Sequence, residues 1–215
     1  MIRAVLFDLD GTLMDTSEGI FHTANYAVAK LGMEPVYDES QLRKFVGPPL
    51  KDCFRIVYGY EDEALLEDCV RVYRQEYEKV GMHLCRLYDG IVSTIGRLRS
   101  MDIRTGVCTL KYEKLSRMIF DEKGITGLFD TIHGTDHEGT ISKADCIRMA
   151  CSDLSLDPEC VLMVGDTVND LDGARQAGVR FAAALWGFGF SAGTVVDYGQ
   201  TVSRPEEIIG IVKES

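Results

Sequence analysis

Three short apolar segments, Ile2–Phe7, Arg104–Cys108 and Val161–Val164, set the terms on which this chain can fold. Their apolar residues run on rather than alternate with polar ones, as in strands buried on both faces of a sheet. Each is followed by turn residues and then by a helical pattern. Phe181–Leu185 continues the series after GARQAGV, a helix end stopped by glycine, and Phe129–Ile132 is a weaker fifth segment. Strands alternating with helices predict an α/β fold built on a parallel sheet.

The link between the first two strands is far too long for one crossover helix. Asp15 and Glu18 have the spacing of an acidic capping box. Ile20, Phe21, Ala24, Ala27, Val28 and Leu31 then recur at helical spacing until Gly32. A later helix carries Leu65, Leu66, Cys69, Val72, Tyr73, Tyr77 and Val80 and ends near Gly81, while FVGPPL between them cannot continue a helix. The expected division is therefore a core of residues 1–15 and 87–215 with an inserted helical domain at 16–86.

With 215 residues, 46% of them hydrophobic, the chain can bury a sizeable core. A formal charge of −11 is the opposite of a nucleic-acid-binding footprint and discourages anionic membranes. The 7 cysteines contain no CxxC pair and read as buried thiols of a reducing compartment. There is no secretory signal pattern and no apolar run of the ~18 residues a membrane span needs. A cytoplasmic protein is expected, monomer or homodimer alike.

In open α/β sheets ligands bind beyond the carboxyl ends of the strands. Those ends carry Asp8 and Asp10, then Thr109, then Asp166 and Asp170 in GDTVND. Lys143 opens a helix that Ser142 can cap, so its ammonium can reach the same edge. Two unit charges ~4 Å apart repel by about 4 kcal/mol at an effective dielectric of 20. Gathering these carboxylates calls for a cation, and a hard divalent ion such as Mg²⁺, with its preference for oxygen ligands, fits. His133 and His137 are four apart, but the glycines around them predict a loop with exposed imidazoles rather than a metal pair.

Asp8–Thr12 (DLDGT), Thr109 after its apolar strand, Lys143 and Gly165–Asp170 (GDTVND) resemble, in order, the four motifs of the haloacid dehalogenase superfamily of hydrolases. LRKFVGPPL, LYDGI and WGFGF resemble its phosphoglycolate-phosphatase-like members. The resemblance implies a Rossmann-like core, a helical cap at 16–86, and a Mg²⁺-dependent phosphatase acting on a small phosphorylated metabolite, with no nucleic acid or membrane partner. It makes Asp8 the nucleophile and Asp10 the general acid and base. Mg²⁺ would be held by Asp8, Asp166 and the backbone carbonyl of Asp10, with Asp170 either a further ligand or a support for the others. Thr109 and the amide of Leu110 would hold phosphoryl oxygens, Gly11 would turn amides toward the phosphate, and Lys143 would neutralise charge. Apart from the resemblance, Arg43 and Lys44 before VGPPL are placed either to contact substrate from the cap or to form a solvated helix end. Leu110 departs from the pattern, since many relatives carry Asn or Ser there. A nucleoside 5′-monophosphatase, a pyrophosphatase and a sugar-phosphate mutase share the apparatus, and a non-catalytic phospholigand-binding protein is the reading from another class.

Overall fold

The computed structural model describes all 215 residues. The chain divides into two compact units, Met1–Met14 with Leu87–Ser215, and Asp15–Arg86. It enters through β1 (Ala4–Phe7) and β2 (Met14–Asp15), then forms α1 (Ser17–Lys30), α2 (Glu39–Leu42), α3 (Leu50–Tyr58) and α4 (Glu63–Lys79). It returns through β3 (Arg86–Leu87), α5 (Ile91–Arg99), β4 (Arg104–Tyr112), α6 (Glu113–Glu122), β5 (Thr131–Thr135) and α7 (Lys143–Leu154). The remainder is β6 (Val161–Gly165), α8 (Val168–Ala177), β7 (Arg180–Ala184), β8 (Gln200–Val202) and α9 (Ile208–Lys213).

Six strands form one parallel sheet in the order β5-β4-β1-β6-β7-β8. Ala4–Phe7 is wholly buried, which is why no polar residue interrupts it. Leu6, Met163 and Phe181 pack on one face against Ile147 of α7 and Leu171 of α8. Val5, Phe7 and Val164 point the other way and are equally buried; α5, packed on β4 and α9, lies in this unit too. β8 has no counterpart among the apolar segments because two of its three residues are exposed. The fifth strand begins at Thr131 rather than Phe129, carried by the buried, β-branched Thr131, Ile132 and Thr135.

The strand order decides where a site can lie. From β1 the chain next adds β4 on one side, whereas from β6 it goes on to β7 on the other. The connections diverge between β1 and β6, and a crevice at their carboxyl ends follows.

In the helical unit, α1 packs on α4, burying Ala24, Ala27 and Val28 of α1 and Leu66, Cys69 and Tyr73 of α4. Phe45, Phe54 and Tyr73 make an aromatic cluster with edge and stacked contacts. The α1 cap sits one residue later than expected: Thr16 is the cap position, and Asp15 Oδ1 instead accepts from the Ser17 amide (3.1 Å) and hydroxyl (2.6 Å). No helix in the chain is long and apolar enough to cross a membrane.

Candidate active site

Asp8 follows β1 directly, and its amide donates to the Val164 carbonyl (2.9 Å), tying the end of β1 to β6. The chain then turns sharply: the amides of Leu13 and Met14 both donate to the Leu9 carbonyl at 3.0 Å, and Gly11 has φ 82°. Gly11 is required twice over. That φ disfavours any side chain, and a Cβ there would overlap the Asp166 carboxylate.

Across the crevice, Asp166 directly follows β6 and is completely buried. Its Oδ1 accepts from the Thr12 hydroxyl (3.1 Å) and its Oδ2 from the Phe188 amide (2.7 Å). Asp170 stands in the first turn of α8, where its Oδ2 accepts from the Thr167 amide (3.0 Å) and hydroxyl (2.7 Å), half of a capping box. Its other oxygen, Oδ1, points away from the cap. It is buried and ion-paired with Lys143 Nζ at 2.7 Å.

Lys143 is the first residue of α7, held there by a capping box between Ser142 and Asp145. Taken alone it reads as a surface lysine, yet it is only 5% exposed. Its ammonium donates to Asp8 Oδ1 (2.7 Å) and to the Cys108 carbonyl (3.1 Å). Thr109 follows Cys108 on β4 and is buried, whereas Leu110 is exposed.

The carboxylates of Asp8, Asp166 and Asp170 offer oxygens that all lie within 4.8 Å of one another. Three buried carboxylates face one ammonium, which leaves an excess of two negative charges when all are ionised. An all-oxygen donor set carrying that excess charge fits a divalent, oxygen-seeking cation. Asp10 is not part of this triad through its carboxylate. Both of its oxygens are bound by Lys111 Nζ, at 2.9 and 3.0 Å.

Burial pushes the Asp8 carboxyl up to about 6, against the opposing pull of Lys143 and with help from Asp170 and Asp10. Burial also raises Asp166, to about 8, with Asp170 and Asp8 adding to it and the Phe188 amide and Thr12 hydroxyl opposing it. Burial works against the Lys143 ammonium, but Asp170 and Asp8 outweigh it and hold that group above its ordinary value. Between the ordinary carboxyl value of 3.8 and these raised values, the folded state binds more protons than the unfolded one. Stability must then fall as pH rises. Without metal, a loss on the order of a few kcal/mol between pH 5 and pH 8 is expected. Thermal melts in EDTA measure it, and a Tm that held level or rose across this range would contradict the burial of two reluctant carboxylates.

Of the residues expected from the sequence, Asp8, Asp166, Asp170 and Lys143 come together, with Gly11 and Thr109 adjoining them. Arg43 belongs to the helical unit and pairs there with Glu39 at 2.8 Å. His133 lies on β5, not in a loop; it is half-buried, and its Nε2 is 2.8 Å from Asp153 Oδ2. His137 lies beyond the strand, next to Glu138. Sequence spacing does not pair Lys111 with Asp10 or Thr12 with Asp166. β4 is irregular in register between Cys108 and Tyr112, so strand alternation does not place Lys111 on the face of Thr109.

A family model described as haloacid dehalogenase-like hydrolase matches residues 5–184. Tyrosine-protein kinase PtkA of Mycobacterium tuberculosis is 33% identical over 216 residues, covering 97% of this chain and 73% of its own. The 5′-nucleotidase of Pseudomonas aeruginosa is 36% identical over 186 residues, 86% of this chain and 83% of its own. The phosphoglycolate phosphatase of Aquifex aeolicus is 30% identical over 212 residues, 98% and 97%. A solved structure from Clostridium acetobutylicum, described as a predicted phosphatase, matches with a TM-score of 0.89 at 32% identity over the full length of both chains. With its family model spanning most of the sequence, the chain belongs to the haloacid dehalogenase-like hydrolases.

Proposed function

We propose that this hydrolase is a Mg²⁺-dependent phosphatase that cleaves a small, soluble phosphate monoester, phosphoglycolate or a compound like it, through an aspartyl-phosphate on Asp8. The observation that carries this is the buried Asp8 carboxylate, fixed by Lys143 at 2.7 Å and set within 4.8 Å of Asp166 and Asp170. The relative named phosphoglycolate phosphatase spans nearly the same length and supports the substrate class. We also assign the helical unit Asp15–Arg86 the role of the cap expected from the sequence.

In the first step an Asp8 oxygen attacks phosphorus and the bond from phosphorus to the ester oxygen breaks. Asp10 gives the leaving alkoxide a proton, then takes one from the water that hydrolyses the aspartyl-phosphate. The paired Lys111 holds Asp10 within the turn that follows the nucleophile. Lys143 and the Thr109 hydroxyl bear the charge of the phosphoryl oxygens. Mg²⁺ held by Asp8, Asp166 and Asp170, with the Asp10 carbonyl, would supply charge neutralisation and orient the phosphate.

A second reading, a nucleoside 5′-monophosphate as substrate, draws on the 36% identical relative named 5′-nucleotidase. Phosphate release from a panel of phosphoglycolate, nucleoside monophosphates, sugar phosphates and pyrophosphate, with Mg²⁺ and with EDTA, separates the readings by kcat/KM. Phosphoglycolate or a similar small ester should rank first, and EDTA should remove the activity. Full turnover in EDTA would overturn the proposal, as would isomerisation of a hexose 1-phosphate without phosphate release. Transfer from ATP to a tyrosine peptide with no ester hydrolysis would also overturn it, placing the chain with its kinase-named relative.

A further inference from the structure

The loop from Trp186 to Phe190 follows β7 and closes on Asp166. The Phe188 amide donates to Asp166 Oδ2 (2.7 Å) and the Phe190 amide to the Asp166 carbonyl (2.8 Å). Trp186 Nε1–H donates to the Thr12 carbonyl (3.1 Å), while the Thr12 hydroxyl donates to Asp166 Oδ1 (3.1 Å). Each carboxylate oxygen of Asp166 thus has one donor, and loop and DLDGT turn are pinned to each other. An ionised carboxylate offers about four lone-pair sites, so this leaves acceptor capacity and fixes its direction.

The alternation of aromatic and glycine residues in WGFGF has a physical reading here. Core packing alone would not require it, since Trp186 and Phe188 are only half-buried. The glycines matter for what they lack. A Cβ on Gly187 would overlap the Asp166 carboxylate and the Gly11 carbonyl, and a Cβ on Gly189 would come within 2.5 Å of the Asp166 carbonyl oxygen. The backbone approaches Asp166 more closely than any side chain allows, and that approach brings the Phe188 amide to the carboxylate.

We propose that Trp186–Phe190 is a positioning strap: its Phe188 amide fixes the rotation of the Asp166 carboxylate toward Asp8 and Asp170, its Phe190 amide anchors the strap on the Asp166 carbonyl, and Gly187 is the residue that lets it close. This deepens the phosphatase reading and rests on Asp166 as a Mg²⁺ ligand. Groups that orient a metal ligand in this way change metal affinity or activity by about 10–100-fold when altered.

Gly187→Ala tests it, beside Gly96→Ala on α5, where an added Cβ meets nothing within 4 Å. Calorimetric titration of the substrate-free protein with Mg²⁺ gives both the dissociation constant and the number of sites. Gly187→Ala should raise the Kd by about 10–100-fold with the site number unchanged, and saturating Mg²⁺ should restore most of kcat. Gly96→Ala should bind as the parent does. A variant that merely unfolds in part loses sites, not affinity in those that remain. Should Gly187→Ala yield no folded protein, Trp186→Phe decides, because it removes the bond to Thr12 without adding an atom; its Kd should rise in the same direction. An unchanged Kd in the folded variant overturns the strap. A parent protein that binds no Mg²⁺ overturns instead the reading on which the strap rests.

Discussion

Asp8→Asn should lower kcat by at least about 10⁴-fold on whichever ester the protein cleaves best, with no loss of stability. The two side chains have nearly the same shape, but the amide is not a nucleophile toward phosphorus. Structure predicts the second half of the outcome. Asp8 is a carboxyl that burial pushes up to about 6, beside Asp170 and Asp10. At pH 8 a neutral amide in its place relieves repulsion, and Lys143 keeps Asp170 as a partner at 2.7 Å. Metal-free Asp8→Asn should therefore melt no lower than the parent at pH 8. A variant within about tenfold of parental kcat would remove Asp8 from the reaction; a collapse in Tm would make its role chiefly structural.

How far the sequence reaches can be read from particular residues. β1, β4 and β6 are legible because strands covered on both faces need unbroken apolar runs, and a site at their carboxyl ends follows from that alone. Ser142 is legible as a cap, since a capping box is written in residues three apart. Legibility stops where a side chain has two partners from distant segments. Asp170 spends one oxygen on the Thr167 cap and turns the other to Lys143, and only the first contact is local. The pairing of Lys111 with Asp10 and the closing of the 186–190 loop on Asp166 are likewise tertiary. β8 is hidden for another reason: it is exposed and polar, so no apolar run marks it. The site's chemistry was thus readable from strand ends, and its charge balance was not, because that depends on which carboxylates share one ammonium.

Lys143→Met should expose that balance. Methionine can fill much of the lysine's stem volume, so the packing change is small. What disappears is the buried cation 2.7 Å from both Asp8 and Asp170. Taking one partner from a buried ion pair costs about 3–5 kcal/mol, because the other is left charged and unsolvated. In a chain of this size that is a Tm drop on the order of 10 °C, expected in EDTA at pH 8. At pH 5 the drop should be smaller. Asp8 and Asp166, raised to about 6 and about 8 even with the lysine present, can there take up protons instead of bearing unpaired charge. Added Mg²⁺ should stabilise the variant more than the parent at pH 8, since it meets a larger excess of negative charge. An equal Tm drop at pH 5 and pH 8 would assign the loss to packing rather than charge. Turnover should fall by about 10²–10³-fold even in saturating Mg²⁺, the cost of removing one preorganised charge from the phosphoryl group. Metal and lysine would then be doing separable work: either can balance Asp8, but only the lysine is fixed by α7 in advance of the substrate.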